Sequence, residues 1–333
     1  MRAIEYTQFG PPLQVLHCVD VPTPVPGKGE VLLRVHAASI NALDWRLMQG
    51  KPWFARLMLR GMRQPSGAIR IGGDVAGEVE AVGPGVTRFQ RDDAVLGVCR
   101  GAFAEHACTT EERLAAKPAN VGFAEAAAVP IAAITALQGL RDRGRLQAGQ
   151  QVLVDGASGG VGSFAIQVAK ALGAEVTAVC STHNVASARA SGADHVIDYT
   201  RQDFLHDPRR YDLVFAANAY RSLFDYRRVL RPGGVHVMAG GGLPQIVQAL
   251  LLAPLLSRLT PKRSAVLTAK VTRADLDTLA GMLASGALAP VIERRYPFDA
   301  AAQAIAYVAQ GHAQGKTVVE MSPAALNPDE DSA

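Results

Sequence analysis

The spacing of apolar positions changes near the middle of the chain. Before residue 150, "EVLLRVHAASI" and "GGDVAGEVEAVGPGV" alternate loosely between apolar and other residues, with Gly and Pro around them. Short runs of this kind are typical of strands in a curved sheet. We therefore predict a curled sheet or barrel here, followed by a helix over "FAEAAAVPIAAITALQGLRD" that breaks at Pro130.

From Gln151 onward, strand-like and helix-like segments alternate. The predicted strands are "QVLVDG", "AEVTAVCS", "DHVIDY", "YDLVFAA" and "VHVMAGG", with a helix ending at the Pro-Gly-Gly before the last of them. Such alternation implies a parallel sheet with right-handed crossovers. The predicted fold class is therefore α/β, with a doubly wound sheet of the Rossmann type. Two further helices, near "RADLDTLAGMLASG" and "DAAAQAIAYVAQG", precede a last strand in "GKTVVEM".

One junction in this half joins a strand to a helix through very small residues, in "VLVDGASGGVGSFAIQVAK". Small side chains let the backbone approach a pyrophosphate, and the N-terminus of the next helix offers free N–H groups and a positive dipole end. A glycine within the helix lets it pack tightly on the strand. We predict a dinucleotide-binding turn, with a ligand-free tight turn as the alternative. Its residues are Ser158, Gly159, Gly160, Val161 and Gly162.

The end of the second strand bears on which nucleotide binds. Dinucleotide and S-adenosylmethionine enzymes usually place an acid there to hold ribose hydroxyls. Here the strand ends "AVCSTHN", with Ser181 and His183 near that position. A carboxylate would repel a 2′-phosphate, whereas hydroxyls and an imidazole can donate to it. We therefore predict NADPH as the cofactor, with Ser181 and His183 as ligands of the 2′-phosphate; an exposed residue at a helix start is the alternative for His183.

Composition excludes several other classes. The 333 residues are 49% apolar with a net charge of +4, which suits about two domains with buried cores and does not indicate a nucleic-acid partner. The N-terminus lacks the apolar region of a secretory signal. The longest apolar stretch, "IVQALLLAPLL", is too short to span a bilayer and predicts a buried or interface helix. The four cysteines lack metal-ligand spacing and are expected to be small buried side chains. We expect a soluble cytoplasmic protein.

"GQQVLVDGASGGVGSFAIQVAK" resembles the signature of the quinone oxidoreductase and zeta-crystallin branch of the medium-chain dehydrogenase/reductase superfamily. "GGDVAGEVEAVGPGVTRF", "AAAVPIAAITALQGL" and "GHAQGKTVV" are similar to other segments of that family, so the resemblance covers nearly the whole chain. It implies a GroES-like barrel domain over residues 1–125 and 270–333, and a Rossmann domain over residues 126–269. One departure is Asp92, which replaces a family glycine at a predicted turn.

The resemblance also bears on metal and reaction. Relatives that oxidise alcohols use a catalytic zinc, whose ligand positions fall here at Asn41, at Gly73 and near Ile131. Gly and Ile side chains offer no ligand, so we predict no metal. Without a Lewis acid to stabilise an alkoxide, reduction is favoured. The resemblance implies hydride transfer from NADPH to a quinone or another α,β-unsaturated carbonyl compound.

Three residues of "NALDW" are expected to serve the reaction itself. The resemblance implies that Asn41 hydrogen-bonds the substrate carbonyl or the nicotinamide ribose. Asp44 is expected to orient that loop, and Trp45 to stack on a planar substrate. A turn-forming Asn, a helix-start Asp and a core Trp are the alternatives. No general acid stands out, so the proton is expected to come from solvent.

Further residues are expected to contact the cofactor. The resemblance places Thr135 near the nicotinamide and Tyr199 near the adenosine phosphate; a Thr bonded to its own helix and a half-buried Tyr are the alternatives. The backbone of "MAGGG" is expected to hold the carboxamide through Ala239 and Gly240. Lys316 is expected to reach the cofactor, with a solvated lysine as the alternative.

Three other functions stay open. They are a non-catalytic NADPH-binding protein of the crystallin kind, a methyltransferase, and a reductase of simple aldehydes or enoyl thioesters. The barrel segment opposes the methyltransferase, while the expected substrate-facing segment "MQGKPWFARLMLRGMRQPSGAIR" does not separate the others. Relatives often pair through the edge strand of the Rossmann sheet, so the resemblance also implies a homodimer.

Overall fold

The computed structural model describes residues 1–49, 67–311 and 313–321, and the chain divides into two compact units. The first comprises Met1–Pro130, Thr272–Ala280 and Ile292–Ala333; the second comprises Ile131–Val271 and Gly281–Val291. The second unit thus contains residues 281–291, which the predicted boundaries place with the barrel domain. Most of the segment expected to face the substrate lies outside the described residues.

The first unit is mainly antiparallel β-structure. Its larger sheet has the order β15-β16-β3-β5-β6-β8, with β7 also paired to β3, and its smaller sheet has the order β2-β1-β4. The strands are β1 (Arg2–Tyr6), β2 (His17–Asp20), β3 (Glu30–Ser39), β4 (Ile69–Arg70), β5 (Asp74–Val82), β6 (Ala94–Val98), β7 (His106–Thr110), β8 (Leu114–Ala116), β15 (Ile292–Pro297) and β16 (Lys316–Glu320). The helices are α1 (Pro12–Val15), α2 (Ala42–Met48), α3 (Phe123–Ala128) and α10 (Ala301–Ala309).

Strands β3 and β5 form the centre of this unit. Val31, Leu33 and Val35 alternate along β3 and are buried in one apolar cluster with Val75 and Val79 of β5. Burial of each such side chain contributes roughly 1.5–3 kcal/mol. The two strands pair antiparallel, with register shifts that mark one bulge in each strand, and bulges bend a sheet. The last strand of the chain, β16, pairs with β3 near Ser39, so the end of the chain completes a sheet begun near its start.

The second unit is a parallel sheet of the Rossmann type. Its order is β11-β10-β9-β12-β13-β14, and every neighbouring pair is parallel. The strands that follow β9 in the chain, β10 and β11, lie on one side of it, and those from β12 onward lie on the other. The strand order therefore switches between β9 and β12, and ligands bind at this switch point in such folds. The strands are β9 (Gln151–Asp155), β10 (Glu175–Cys180), β11 (His195–Asp198), β12 (Tyr211–Ala216), β13 (Leu230–Met238) and β14 (Arg263–Val266). The predicted α/β class, with a Rossmann sheet and a GroES-like domain, is confirmed.

The helices of this half follow the predicted segments closely. They are α4 (Pro130–Leu137), α5 (Gly160–Ala171), α6 (Val185–Ala190), α7 (Leu223–Arg228) and α8 (Leu243–Leu259). The next helix, α9 (Arg273–Ala284), lies mostly in the first unit and ends in the second. The predicted break is confirmed, because α3 ends at Ala128 and α4 begins at Pro130; proline has no N–H to continue the helical ladder. Strand β13 begins earlier than expected, so Pro232–Gly234 lies within the strand rather than ending a helix.

One other expectation needs correction: Cys99 and Cys180 are buried as predicted, but Cys18 is exposed on β2. The predicted buried or interface helix is α8. One side of it is exposed, since Leu251 and Leu259 are 71% and 70% exposed while only its small residues Ala249 and Ala253 are buried. An interface on this side stays a prediction. Of the helices in the described residues, none is both long and apolar enough to cross a membrane.

The turn before β6 offers a test of local backbone strain. Asp92 has a φ of 71°, and its side chain is 81% exposed. We expect Asp92→Ala to lower the free energy of unfolding by about 1 kcal/mol relative to Asp92→Gly, because a residue with Cβ is strained in the left-handed region. Thermal unfolding followed by circular dichroism measures the difference. Arg91→Ala, an exposed neighbour, is the control; equal midpoints for the two Asp92 variants would refute the strain.

Candidate functional site

The glycine turn lies at the carboxyl end of β9, at the point where the sheet order reverses. Gly156 has a φ of 74°, and a Cβ there would lie 3.1 Å from the backbone nitrogen of Asn218. Helix α5 begins at Gly160, and its N-cap is Gly159, which has no side chain to bond the first N–H groups. The N–H groups at such a helix N-terminus suit an anionic pyrophosphate.

Two glycines of this turn differ in what surrounds them. A Cβ on Gly162 would lie 2.1 Å from the carbonyl oxygen of Gly156, so the helix packs against the turn as closely as a glycine permits. A Cβ on Gly159 would meet only that same oxygen, at 3.6 Å. Protein packing therefore requires glycine at 162 but not at 159. The open space beside Gly159, with the small neighbours Ser158 and Gly160, fits the approach of a dinucleotide.

A buried carboxyl group stands directly before this turn. Asp155 is the last residue of β9 and is 8% exposed. Its Oδ2 accepts a hydrogen bond from the hydroxyl of Tyr226 at 2.5 Å. Burial raises the pKa of Asp155 to about 6, although hydrogen bonds from Tyr226 and the Gly156 N–H act in the other direction. Sequence reasoning did not single out Asp155, though an acid that ends an apolar strand was a signal for it.

The end of β10 is not free of acid, contrary to the sequence-based argument for NADPH. Asp198 of β11 is the register partner of Cys180, and its Oδ2 accepts a hydrogen bond from Thr182 at 2.6 Å. Hydrogen bonds from Thr182 and Thr200 outweigh burial and lower the pKa of Asp198. In its hydrogen bond with Asn184 Nδ2, at 2.9 Å, Ser181 Oγ is the acceptor. This bond does not use the O–H of Ser181 as a donor. Ser181 can therefore donate to an anion, while Thr182 already donates to the carboxylate.

The other predicted cofactor residues are distributed as follows. His183 is exposed and Tyr199 is 58% exposed, so the half-buried alternative for Tyr199 stays open. Ala239 and Gly240 follow β13, and Ala219 N–H donates to the Gly240 carbonyl at 2.9 Å. Thr135 donates to the carbonyl of Ile131 at 2.7 Å, which is the contact expected of a helical Thr. Contact of these residues with a cofactor stays a prediction.

In the first unit, four polar side chains meet beside the start of β5. Asp74 is completely buried, as is Ser39, whose hydroxyl donates to Asp74 Oδ2 at 2.9 Å. Asn41 Nδ2 donates to the same oxygen at 2.8 Å. The ammonium of Lys316 is 2.8 Å from Asn41 Oδ1 and 3.3 Å from Asp74 Oδ2. Lys316 is 3% exposed, so the alternative of a solvated lysine is wrong.

The other two residues predicted to be catalytic flank this cluster. Asp44 lies in the first turn of α2, and its Oδ2 accepts the backbone N–H of Asn41 at 2.7 Å. Burial raises the pKa of Asp44 to about 7, and the nearby charge of Asp74 adds to the effect. Trp45 is partly buried against the apolar core, as the alternative of a core tryptophan expects. The hydrogen bond to Asn41 suits the predicted orienting role of Asp44.

Sequence reasoning missed Ser39 and Asp74. The available signal was an acid within the apolar strand "DVAGEVEAV", because a buried carboxylate needs a partner. At the predicted zinc positions stand Asn41, Gly73 and Ile131, and no group of three or more His, Cys, Asp or Glu in the described residues could hold a metal ion. The absence of a metal stays a prediction.

Comparisons with known proteins agree with this arrangement. The zinc-binding dehydrogenase family matches residues 191–319, and the alcohol dehydrogenase GroES-like domain matches residues 27–139. A chloroplast envelope quinone oxidoreductase homolog of Arabidopsis thaliana is 34% identical, over 96% of this chain and 98% of its own. A chloroplastic NADPH-dependent alkenal/one oxidoreductase of the same plant is 31% identical, over 97% and 80%. The solved quinone oxidoreductase of Coxiella burnetii has a TM-score of 0.84 and 30% identity, over 97% and 99%.

A GroES-like domain together with a Rossmann sheet and its glycine turn defines an oxidoreductase that uses a nicotinamide dinucleotide. The chain belongs to the medium-chain dehydrogenase/reductase superfamily, as the resemblance predicted. The predicted cytoplasmic location is wrong, since both plant relatives are named as chloroplast proteins. The lack of an apolar secretory signal gives no information about import into organelles, because the targeting segments for organelles are amphipathic. The homodimer stays a prediction.

The two glycines of the turn can be separated by experiment. We expect Gly162→Ala to lower the free energy of unfolding by about 1–3 kcal/mol, because its methyl group collides with backbone. Gly159→Ala should leave stability unchanged and weaken dinucleotide binding, because the methyl group fills the ligand's approach. Thermal unfolding and fluorescence titration with NADPH measure the two effects, and each variant is the other's control. Undiminished binding in Gly159→Ala would argue against a pyrophosphate at this position.

Proposed function

We propose that this protein is an NADPH-dependent reductase of quinones and other α,β-unsaturated carbonyl compounds. The relatives' names support this substrate class, since they include a quinone oxidoreductase homolog and an alkenal/one oxidoreductase. The observation that carries the proposal is the state of Asn41. Its amide is held in one orientation, and one of its N–H groups has no acceptor in the part of the chain that the structure describes. Bound NADPH supplies the hydride, and the chain's own residues orient and polarise the acceptor.

The orientation of the Asn41 amide follows from its partners. Its Oδ1 accepts from the Lys316 ammonium, and its Nδ2 donates to Asp74. A side-chain amide has two N–H groups, and none of the described residues accepts the second one. That N–H is suited to the carbonyl oxygen of a substrate, where negative charge develops as the hydride is added. A donor fixed in advance at such an oxygen stabilises the transition state.

Lys316 acts on this site through Asn41. Its ammonium has three protons, and three acceptors lie within reach: Asn41 Oδ1 at 2.8 Å, the Ile40 carbonyl at 3.2 Å and Asp74 Oδ2 at 3.3 Å. With every proton engaged, the ammonium has none to offer a cofactor. We therefore assign Lys316 as a positioning residue, which prevents the amide of Asn41 from flipping, in place of the cofactor contact predicted from the sequence.

The residues that hold the dinucleotide in this proposal lie in the second unit. Ser158–Gly162 receives the pyrophosphate, and Ser181 donates to the 2′-phosphate. Arg201, whose guanidinium is 76% exposed and 3.5 Å from Asp198, adds a cation near the same strand ends. A cation and a free hydroxyl favour a phosphate, whereas Asp198 opposes it. We infer a preference for NADPH that is moderate rather than absolute.

Removal of the proposed donor tests the mechanism. We expect Asn41→Ala to lower kcat for a 1,4-naphthoquinone about 100-fold, as for other fixed donors at a developing oxyanion, with an unchanged Kd for NADPH. NADPH oxidation at 340 nm and a fluorescence titration measure the two quantities. Leu43→Ala, an exposed position on α2, is the matched control. An unchanged kcat in Asn41→Ala would remove Asn41 from the mechanism.

Cofactor preference is tested at the end of β10. We expect Ser181→Asp to lower the ratio of kcat/KM for NADPH to kcat/KM for NADH by at least about tenfold, because a carboxylate repels the 2′-phosphate. Steady-state kinetics with both dinucleotides measure the ratio. Ser187→Asp places the same charge on α6 and should leave the ratio unchanged. Equal ratios for the wild type and Ser181→Asp would exclude Ser181 as a ligand of that phosphate.

A further inference from the structure

The carboxyl group of Asp155 has no role in the function proposed above, yet it adjoins the glycine turn. Its Oδ2 accepts the Tyr226 hydroxyl at 2.5 Å, and the backbone N–H of Gly156 also favours its ionised form. Gly156 is the residue that turns the chain toward α5, with its φ of 74°. The Asp155 carboxyl group is therefore attached directly next to the backbone turn that would receive the pyrophosphate.

Its main partner, Tyr226, cannot move away. Tyr226 is completely buried, and its ring stacks on His236 at 4.8 Å and on Phe204 at 6.0 Å between centroids. The N–H of Arg221 also donates to the Tyr226 hydroxyl, at 3.4 Å. The hydroxyl is therefore held against Asp155 whether or not a ligand is present.

The groups around Asp155 do not neutralise its charge. Tyr226 is an uncharged donor, since burial and Asp155 itself raise its pKa. His236 is neutral, because burial lowers its pKa to about 3. The guanidinium of Arg221 favours the carboxylate but forms its ion pair with Asp203, at 2.9 Å. Among the described residues, Asp155 forms no ion pair, so hydrogen bonds stabilise its charge and Arg221 adds only a smaller contribution.

We propose that Asp155 sets the affinity of the glycine turn for the dinucleotide, and that it takes up a proton from solvent when the pyrophosphate binds. The inference rests on the proposed function. A carboxylate and a pyrophosphate on the same turn repel each other, and a like charge nearby favours the protonated acid. A protonated carboxyl still accepts the Tyr226 hydroxyl through its unprotonated oxygen, so binding changes the charge of Asp155 and keeps its main partner.

The consequence for pH follows by linkage. Since burial already raises the pKa of Asp155 to about 6, the free protein loses this proton between about pH 5 and pH 7. A bound dinucleotide raises the pKa further, so affinity is highest when Asp155 is protonated and falls as pH rises through that range. A shift of one unit on binding corresponds to a tenfold change in affinity.

The test is calorimetric titration with NAD⁺ between about pH 5.5 and pH 8, in two buffers of different ionisation enthalpy. NAD⁺ carries the pyrophosphate but no titrating 2′-phosphate, so that group does not contribute to the pH dependence. We expect the wild type to bind about tenfold more weakly at the upper end of the range and to take up protons on binding. Asp155→Asn keeps an acceptor for Tyr226 and should bind with one affinity throughout, more tightly than the wild type at high pH.

Two further variants complete the test. Asp212→Asn is the matched control, because Asp212 lies at the opposite end of the same sheet, where it bonds Gln151 N–H and Arg231; it should behave as the wild type. Tyr226→Phe removes a hydrogen bond that lowers the pKa of Asp155 and should move the loss of affinity to higher pH. This variant also serves if Asp155→Asn does not fold.

The possible outcomes separate this inference from the function on which it rests. Binding with no pH dependence in the wild type, or an unaltered dependence in Asp155→Asn, would overturn the role of Asp155. A failure of NAD⁺ and NADP⁺ to bind at any pH would instead count against the proposed function. A dependence seen with NADP⁺ but not with NAD⁺ would assign the titration to the 2′-phosphate, and would equally overturn the inference.

Discussion

A carboxylate completely buried at the start of β5 is the constraint around which the first unit is organised. An unpaired charge in that position would cost several kcal/mol, and Asp74 is matched by groups from two segments distant in the sequence. Ser39 ends β3, Asn41 follows it, and Lys316 begins β16. The pairing of β16 with β3 brings the ammonium to the carboxylate. The same contacts hold the amide of Asn41, so charge neutralisation and the orientation of the proposed donor have one cause.

The two units contain buried acids that are stabilised in different ways. Asp74 has an ammonium beside it, whereas Asp155 has a hydroxyl and a backbone N–H. A cation removes most of the cost of a buried carboxylate, while neutral donors remove less of it. The difference suits their places in the fold. The first acid belongs to a fixed framework, and the second adjoins a turn where an anionic ligand changes the local charge.

The Asn41 cluster can be compared with the zinc site of other enzymes in the superfamily. At the position where such relatives carry a cysteine ligand, this chain has Asn41, and the cation within 2.8 Å of its oxygen is the ammonium of Lys316. A fixed amide donor is weaker than a Lewis acid, but it suffices where the acceptor is an electron-poor carbonyl conjugate. The chemistry proposed for this protein follows from that substitution.

The sequence by itself determined the features that depend on neighbours along the chain. Alternating strands and helices predicted the parallel sheet, "DGASGGVG" predicted the turn, and Pro130 predicted the break between α3 and α4, because periodicity and backbone restriction act locally. Only the tertiary structure placed Asp198 beside Ser181 and brought Lys316 and Asp74 to Asn41. Those contacts join strands distant in the sequence, where register decides which side chains meet. From the sequence alone, Lys316 could be a solvated lysine, and the end of β10 has no acid. Their partners are therefore evident only once the sheets have formed.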